Sequence, residues 1–110
     1  MTIEFHTPYG KVSEKLVNSI RNDMLELSHI NKKISRAEVI LKEEQTVFKG
    51  ENKVCEIRLS VFGDNLFIRS RTDNFESSAK EAIKDLKRMV RQQAKEQKEV
   101  PDQMLSTVKV

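Results

Sequence analysis

The spacing of apolar residues changes along this chain in a way that fixes the order of its secondary structure. Ile3 and Phe5 alternate with polar residues over Thr2–His6, which is the period of a half-buried strand. From about Ser13 to His29 the apolar residues instead recur every three or four positions, as in an amphipathic helix. Ser13 is expected to cap that helix, because its hydroxyl can accept a backbone N–H of the first turn.

Alternation returns after the helix in three successive segments, which predict strands: AEVILK at 37–42, VCEIRLSV at 54–61 and LFIRSR at 66–71. The polar stretch 46–53 is expected to reverse the chain before the third strand. The turn FGDN, 62–65, joins the third and fourth strands tightly, because Gly63 and Asp64 tolerate the positive φ of short hairpins. The three strands therefore predict an antiparallel meander.

A second helix is predicted from a cap at Asp73 or Asn74 to about Lys98, ahead of Pro101. The element order is then β-α-β-β-β-α, an α+β fold. A right-handed crossover through the first helix would make strands one and two parallel neighbours and place both helices on one face of a four-stranded sheet. The length suits one domain over residues 1–99, and residues 100–110 are expected to form a short, flexible tail.

Several functional classes are disfavoured by the composition. No apolar run approaches the roughly 18 residues of a membrane span, and the first residues lack a signal pattern, so a cytoplasmic protein without membrane contact is expected.

Cys55 lies on the inward side of a predicted strand and is expected to be a core residue. His6 and His29 have no acid at metal-ligand spacing. No catalytic constellation or phosphate-binding glycine loop is found, so no catalytic residue, metal, cofactor or small-molecule substrate is expected.

The basic residues of the second helix are sorted to one side. On a helical wheel the apolar residues from Ala79 to Val90 occupy one stripe. A continuous ridge beside that stripe holds seven bases: Lys80, Lys84, Lys87, Arg88, Arg91, Lys95 and Lys98. Acids such as Glu81 and Asp85 fall elsewhere, and this segregation predicts binding to a polyphosphate such as RNA. The alternative is an ordinary solvated helix whose charges pair with one another one turn apart.

The sheet face opposite the helices is not an obvious binding surface. Its residues are expected to be solvated and are mixed in sign: Glu4, His6, Glu38, Lys42, Glu56, Arg58, Arg69 and Arg71. Phe67 is expected to make a packing contact at the edge of this face, because a sheet that binds RNA bases uses several stacking aromatics.

Together these features resemble the ribosome hibernation promoting factors, a family also called ribosome-associated inhibitor A or sigma-54 modulation proteins. The resemblance covers about residues 1–98 and rests on the element order and on three stretches: ISRAEVILK, ENKVCEIRLSVFGDNLF and DNFESSAKEAIKDLKRMVRQ. It implies a β-α-β-β-β-α fold similar in outline to double-stranded RNA binding domains. It also implies binding to 16S rRNA of the small ribosomal subunit, in the channel for mRNA and tRNA, and inhibition of translation under stress.

The resemblance places the family's basic helix on Lys80, Lys84, Lys87, Arg88 and Arg91. The first helix departs from the family pattern, because acidic Asp23 and Glu26 stand where the family usually has bases. Lys15 and Arg21, with Lys32 and Lys33 just after the helix, are the bases that remain there. Lys15 and Arg21 are its candidate RNA contacts, with Lys95 as a further candidate on the second helix. The chain resembles the short form without a ribosome-pairing domain, so a ribosome-dimerising helper protein is a second candidate partner.

Two other functions stay open at this point. A general double-stranded RNA binding module would bind naked duplexes as well as it binds ribosomes. A protein-interaction module, for instance a transcription-linked regulator, would bind its partner after RNase treatment and with weak dependence on salt.

Overall fold

The predicted order of elements, β-α-β-β-β-α, is confirmed in the computed structural model of the chain, which describes residues 1–8, 12–45 and 50–109, with side chains up to residue 95. The elements are β1 (Thr2–His6), α1 (Glu14–Ile30), β2 (Ile34–Glu43), β3 (Lys53–Val61), β4 (Leu66–Thr72) and α2 (Phe75–Lys109). Residues 46–49 of the predicted reversal before β3 lie outside the described residues.

The four strands form one sheet in the order β1-β2-β3-β4. β1 and β2 are parallel, with Ile3 beside Ala37, because α1 carries the chain back across the sheet between them. The β2–β3 and β3–β4 pairs are antiparallel, and Ile57 lies between Val39 and Ile68 in this ladder. Both the parallel pair and the meander match the prediction.

The core lies between one face of the sheet and the two helices. α1 packs over β1, and α2 packs over β3 and β4. Fully buried side chains come from every layer: Ile20, Met24 and Leu27 from α1, Val39, Leu41, Cys55, Ile57 and Leu59 from the sheet, and Ala82, Leu86 and Val90 from α2. Burial raises the pKa of the Cys55 thiol to about 12, so this thiol is held neutral within the core, as expected.

Each helix begins at a side-chain cap. Ser13 Oγ accepts the Leu16 backbone N–H at 3.1 Å at the start of α1. Asn74 Oδ1 accepts the Ser77 backbone N–H at 2.8 Å at the start of α2, so Asn74 rather than Asp73 is the cap. The hairpin between β3 and β4 has Gly63 at φ +96°, as the turn FGDN predicted, whereas Asp64 does not adopt a positive φ.

The end of α2 differs from the prediction. The helix continues through Pro101 to Lys109 instead of ending near Lys98. Proline inside a helix removes one backbone hydrogen bond and crowds the carbonyl four residues earlier, so the helix is locally unfavourable at Pro101, although the Gln, Met and Leu that follow it favour helix. The place of Lys98 on the basic ridge lies outside the described side chains, and the boundary between residues 99 and 100 stays a prediction.

Among the described residues, no helix is both long and apolar enough to cross a membrane.

The sheet face opposite the helices is less solvated than predicted. Glu56, on the inner strand β3, is only 5% exposed. Lys42 Nζ lies 3.2 Å from its carboxylate and Arg69 Nη1 lies 3.4 Å from it. The expectation of a solvated Glu56 is therefore wrong, because long basic side chains from both neighbouring strands cover it while they pair with its charge.

His6 has acidic neighbours that its sequence spacing did not predict. Its Nε2 lies 3.7 Å from the Glu4 carboxylate and 3.8 Å from that of Glu38 on the next strand. Arg36 Nη2 lies 2.6 Å from Glu4 and 3.3 Å from Glu38. The prediction that no acid has metal-ligand spacing to His6 is therefore wrong, although Arg36 pairs with both carboxylates, which indicates an ion-pair cluster rather than a metal site.

Candidate nucleic-acid interface

The apolar stripe of α2 packs against the sheet and so turns the basic residues of this helix outward. We call the six described bases the α2 ridge: Lys80, Lys84, Lys87, Arg88, Arg91 and Lys95. All are exposed except Lys87, which is half-buried. At 1.5 Å per residue the α2 ridge is about 22 Å long. A rigid helix therefore presents several cations along one line, as the helical wheel predicted.

Four members of the α2 ridge make no ion pair with any described residue: Lys80, Lys84, Arg91 and Lys95. Arg88 differs, since its Nη2 lies 2.8 Å from Asp85 Oδ1 one turn earlier. Both side chains of that pair are exposed, so the pair contributes little and leaves the guanidinium accessible to a stronger anion. Five cations of the α2 ridge are thus available to phosphate groups.

Lys87 lies on the side of α2 that faces α1. Its Nζ is 3.5 Å from Asp23 Oδ1 and 3.4 Å from Glu26 Oε2. This contact is not visible on the wheel of α2 alone, because it depends on how the two helices lie side by side. The signal that could have revealed it is the spacing of Asp23 and Glu26, three residues apart and hence on one face of α1.

A groove of about 330 Å³ separates the two helices over Ile20 and Ile83. Lys15 of α1 and Lys80 of α2 both line it, and so do the acids Asp23 and Glu76. Lys15 is therefore brought next to the α2 ridge, but in a groove whose charges are balanced.

Arg21, the other predicted contact on α1, lies away from this groove. Its guanidinium carbon is 5.2 Å from the centre of the Phe5 ring on β1, and its Nη1 donates to Asn18 Oδ1 at 3.2 Å. Arg21 is thus placed at the β1 side of the molecule, separate from the α2 ridge.

A buried polar link, which the sequence reasoning missed, joins the middle of α2 to the rest of the fold. Asn31 Nδ2 donates to Gln93 Oε1 at 3.4 Å, and Gln93 Nε2 donates to the backbone carbonyl of Asp64 at 3.1 Å. The link joins the end of α1 and the β3–β4 turn to α2. Its signal in the sequence is that Gln93 falls within the apolar stripe of α2, where a polar residue needs a buried partner.

Two exposed aromatics lie at the β3–β4 hairpin. Phe67 is partly exposed on the sheet face opposite the helices, and the guanidinium carbon of Arg58 lies 5.5 Å from the centre of its ring. Phe62, in the turn, is 80% exposed. Phe67 thus stacks with a cation at the edge strand, and Phe62 is an exposed aromatic that the sequence reasoning treated only as part of a turn.

The chain is similar to known proteins in sequence profile and in fold. The sequence profile of the family described as "Sigma 54 modulation protein / S30EA ribosomal protein" matches residues 3–98. A ribosomal subunit interface protein from Coxiella burnetii has a similar fold, with a TM-score of 0.67 at 13% identity over 82% of this chain and 93% of the other. The N-terminal domain of Thermus thermophilus Protein Y has a TM-score of 0.68 at 14% identity over 84% and 98%. Comparison with curated proteins gives no significant sequence match.

Proposed function

Because the chain belongs to the family of sigma 54 modulation proteins and S30EA ribosomal proteins, we propose that it is a non-enzymatic, cytoplasmic hibernation factor that binds the small ribosomal subunit. The proposal is that it occupies the channel for mRNA and tRNA, contacts 16S rRNA and inhibits translation in stationary or stressed cells. The two similar structures, a ribosomal subunit interface protein and the N-terminal domain of Protein Y, support this proposal.

The observation that carries the proposal is the α2 ridge. Four of its cations have no acidic partner among the described residues and stand on one rigid helix, so an rRNA backbone can bind them without first displacing a carboxylate. Contacts of this kind fix the position of the protein on the RNA, while the shape of the α+β domain excludes mRNA and tRNA from the same space. The mechanism is occupancy, and it requires no chemical step.

The number of available cations sets the expected dependence on salt. If the five accessible members of the α2 ridge each neutralise one phosphate, affinity should fall roughly 100- to 500-fold between about 50 and about 200 mM salt. This strong dependence separates phosphate binding from docking on a ribosomal protein through apolar contacts.

Co-sedimentation with purified small subunits tests the proposal. We expect saturable binding near one per subunit that mRNA plus tRNA displaces and naked duplex RNA does not. Lys84→Glu combined with Arg91→Glu should abolish binding, because both side chains are exposed and the reversed charges repel phosphate. A matched comparison uses single variants: Arg91→Glu should weaken binding about tenfold or more, whereas Arg58→Glu, on the opposite face, should leave it within about twofold.

Other outcomes would assign the protein differently. Displacement by plain duplex would indicate a general double-stranded RNA binding module. Binding that survives RNase and varies little with salt would indicate a protein-interaction module. A ribosome-dimerising helper protein is also part of the proposal. Formation of paired ribosomes with cell extract, but not with the purified protein alone, would show that a helper is required.

A further inference from the structure

We propose that Asp23 and Glu26 of α1, which we call the acidic border, keep RNA phosphates out of the groove between the helices. These two acids thereby confine the backbone of the bound RNA to the outer side of the α2 ridge. This inference rests on the proposed function and deepens it, because it assigns a direction to the RNA contact and a role to two acids in the first helix.

The position of Lys87 gives the first argument. Its ammonium lies within 3.5 Å of both acidic-border carboxylates, and only 26% of its side chain is exposed. A phosphate that approached Lys87 would meet one positive and two negative charges at close range, which is net repulsion. Lys87 therefore serves as a positioning residue that links α2 to α1, and it is not an RNA contact.

The charges on the two sides of Lys87 give the second argument. Along the groove and its border, three bases face three acids: Lys15, Lys80 and Lys87 face Asp23, Glu26 and Glu76, so a polyanion that entered there would gain no net attraction. Lys80 is exposed and stays accessible to phosphate from outside the groove. On the outer side, Lys84, Arg91 and Lys95 have no acidic partner among the described residues. An RNA backbone is thus attracted along one side of α2, whereas along the other it gains no net attraction and is repelled locally at Lys87, which restricts the orientation of the bound protein.

Neutralising the acidic border tests this role, because it should release Lys87 to bind one additional phosphate. In Asp23→Asn/Glu26→Gln, the plot of log affinity against log salt should steepen by about one unit. The ratio of affinities at about 50 and about 200 mM salt should then rise about threefold. Lys87→Gln should remove that gain in the Asp23→Asn/Glu26→Gln background and leave the salt dependence of the native protein unchanged.

A matched control separates a local effect from a change in net charge. Glu14→Gln/Glu51→Gln also removes two negative charges, from exposed side chains that make no ion pair with any described residue and do not line the groove. We expect a smaller gain in affinity from this control, and Lys87→Gln should not remove it. Circular dichroism of each variant verifies that the fold is retained.

The measurements are made in parallel on small subunits and on a duplex RNA of about 20 base pairs, long enough to extend past the α2 ridge. The proposed role of the acidic border is refuted if neutralising it raises RNA affinity no more than the control does. It is also refuted if that gain in affinity persists after Lys87→Gln. If the protein does not bind small subunits but shows the Lys87-dependent gain in affinity on the duplex, the ribosomal function is refuted and the role of the acidic border is supported. Binding to neither RNA at low salt would overturn both.

Discussion

Met24 offers a direct test of how α1 is held on the sheet. Its side chain is completely buried in the core between α1 and the strands. Replacing a buried methionine with alanine removes apolar contact and leaves a cavity, and such changes cost about 2 to 5 kcal/mol. At about 3 kcal/mol for Met24→Ala, the unfolded fraction of the protein should rise by a factor of about one hundred.

The single cysteine provides the assay. Cys55 is fully buried on β3, and its pKa is raised by burial from 9.0 to about 12. At about pH 8 this lowers the reactive thiolate about a thousandfold relative to an exposed thiol, so iodoacetamide should modify Cys55 only when the chain unfolds. Mass spectrometry then gives a modification rate that follows the unfolded fraction, and Met24→Ala should raise that rate about one hundredfold.

Leu25→Ala is the matched control, because Leu25 is the next residue of α1 and is 43% exposed. Its loss should cost less than about 0.5 kcal/mol and change the rate about twofold. If the two variants are modified at similar rates, Cys55 is reached by a local opening of β3 and the reasoning from Met24 is refuted.

Two further predictions concern the sheet and the second helix. Arg71 donates to Glu44 and lowers the pKa of that carboxyl below 4.5, so its stabilising effect is present above pH 4.5 and is lost as pH falls through the lower value. Urea unfolding at about pH 6 and about pH 3 should therefore show Glu44→Gln more destabilising at the higher pH, and an equal effect at both would contradict the pairing. Asn74→Ala removes the cap of α2 and should cost about 1 kcal/mol in thermal unfolding, while the neighbouring Asp73→Ala should cost less.

The parts of the structure that follow from local chemistry were predictable. Alternation identified the strands, Ser13 identified the start of α1, and the wheel of α2 separated its buried stripe from its bases. Each of these depends on residues within about one or two turns of one another, and hydrogen bonding or burial at that range is regular. The family resemblance then agreed with the profile match over residues 3–98.

The parts that were missed depend on residues far apart in the chain. Lys87 is paired with Glu26, 61 positions away, through the relative placement of two helices. Glu56 is buried because Lys42 and Arg69 on neighbouring strands bend over it, which single-strand alternation cannot show. The continuation of α2 past Pro101 shows a related limit, since proline makes a helix end more frequent without requiring one.

The parallel pairing of β1 with β2 has a consequence for how the chain folds. Leu59 and Leu66 meet across a short hairpin, whereas Ile3 is separated from its partner Ala37 by the whole of α1. Closing that longer loop costs more chain entropy, so we expect β1 to be synthesised first and ordered last. Until then one edge of β2 is open to pairing with another chain. Pulsed hydrogen exchange should find the amides of β1 protected after those of β3 and β4, and simultaneous protection would contradict this order.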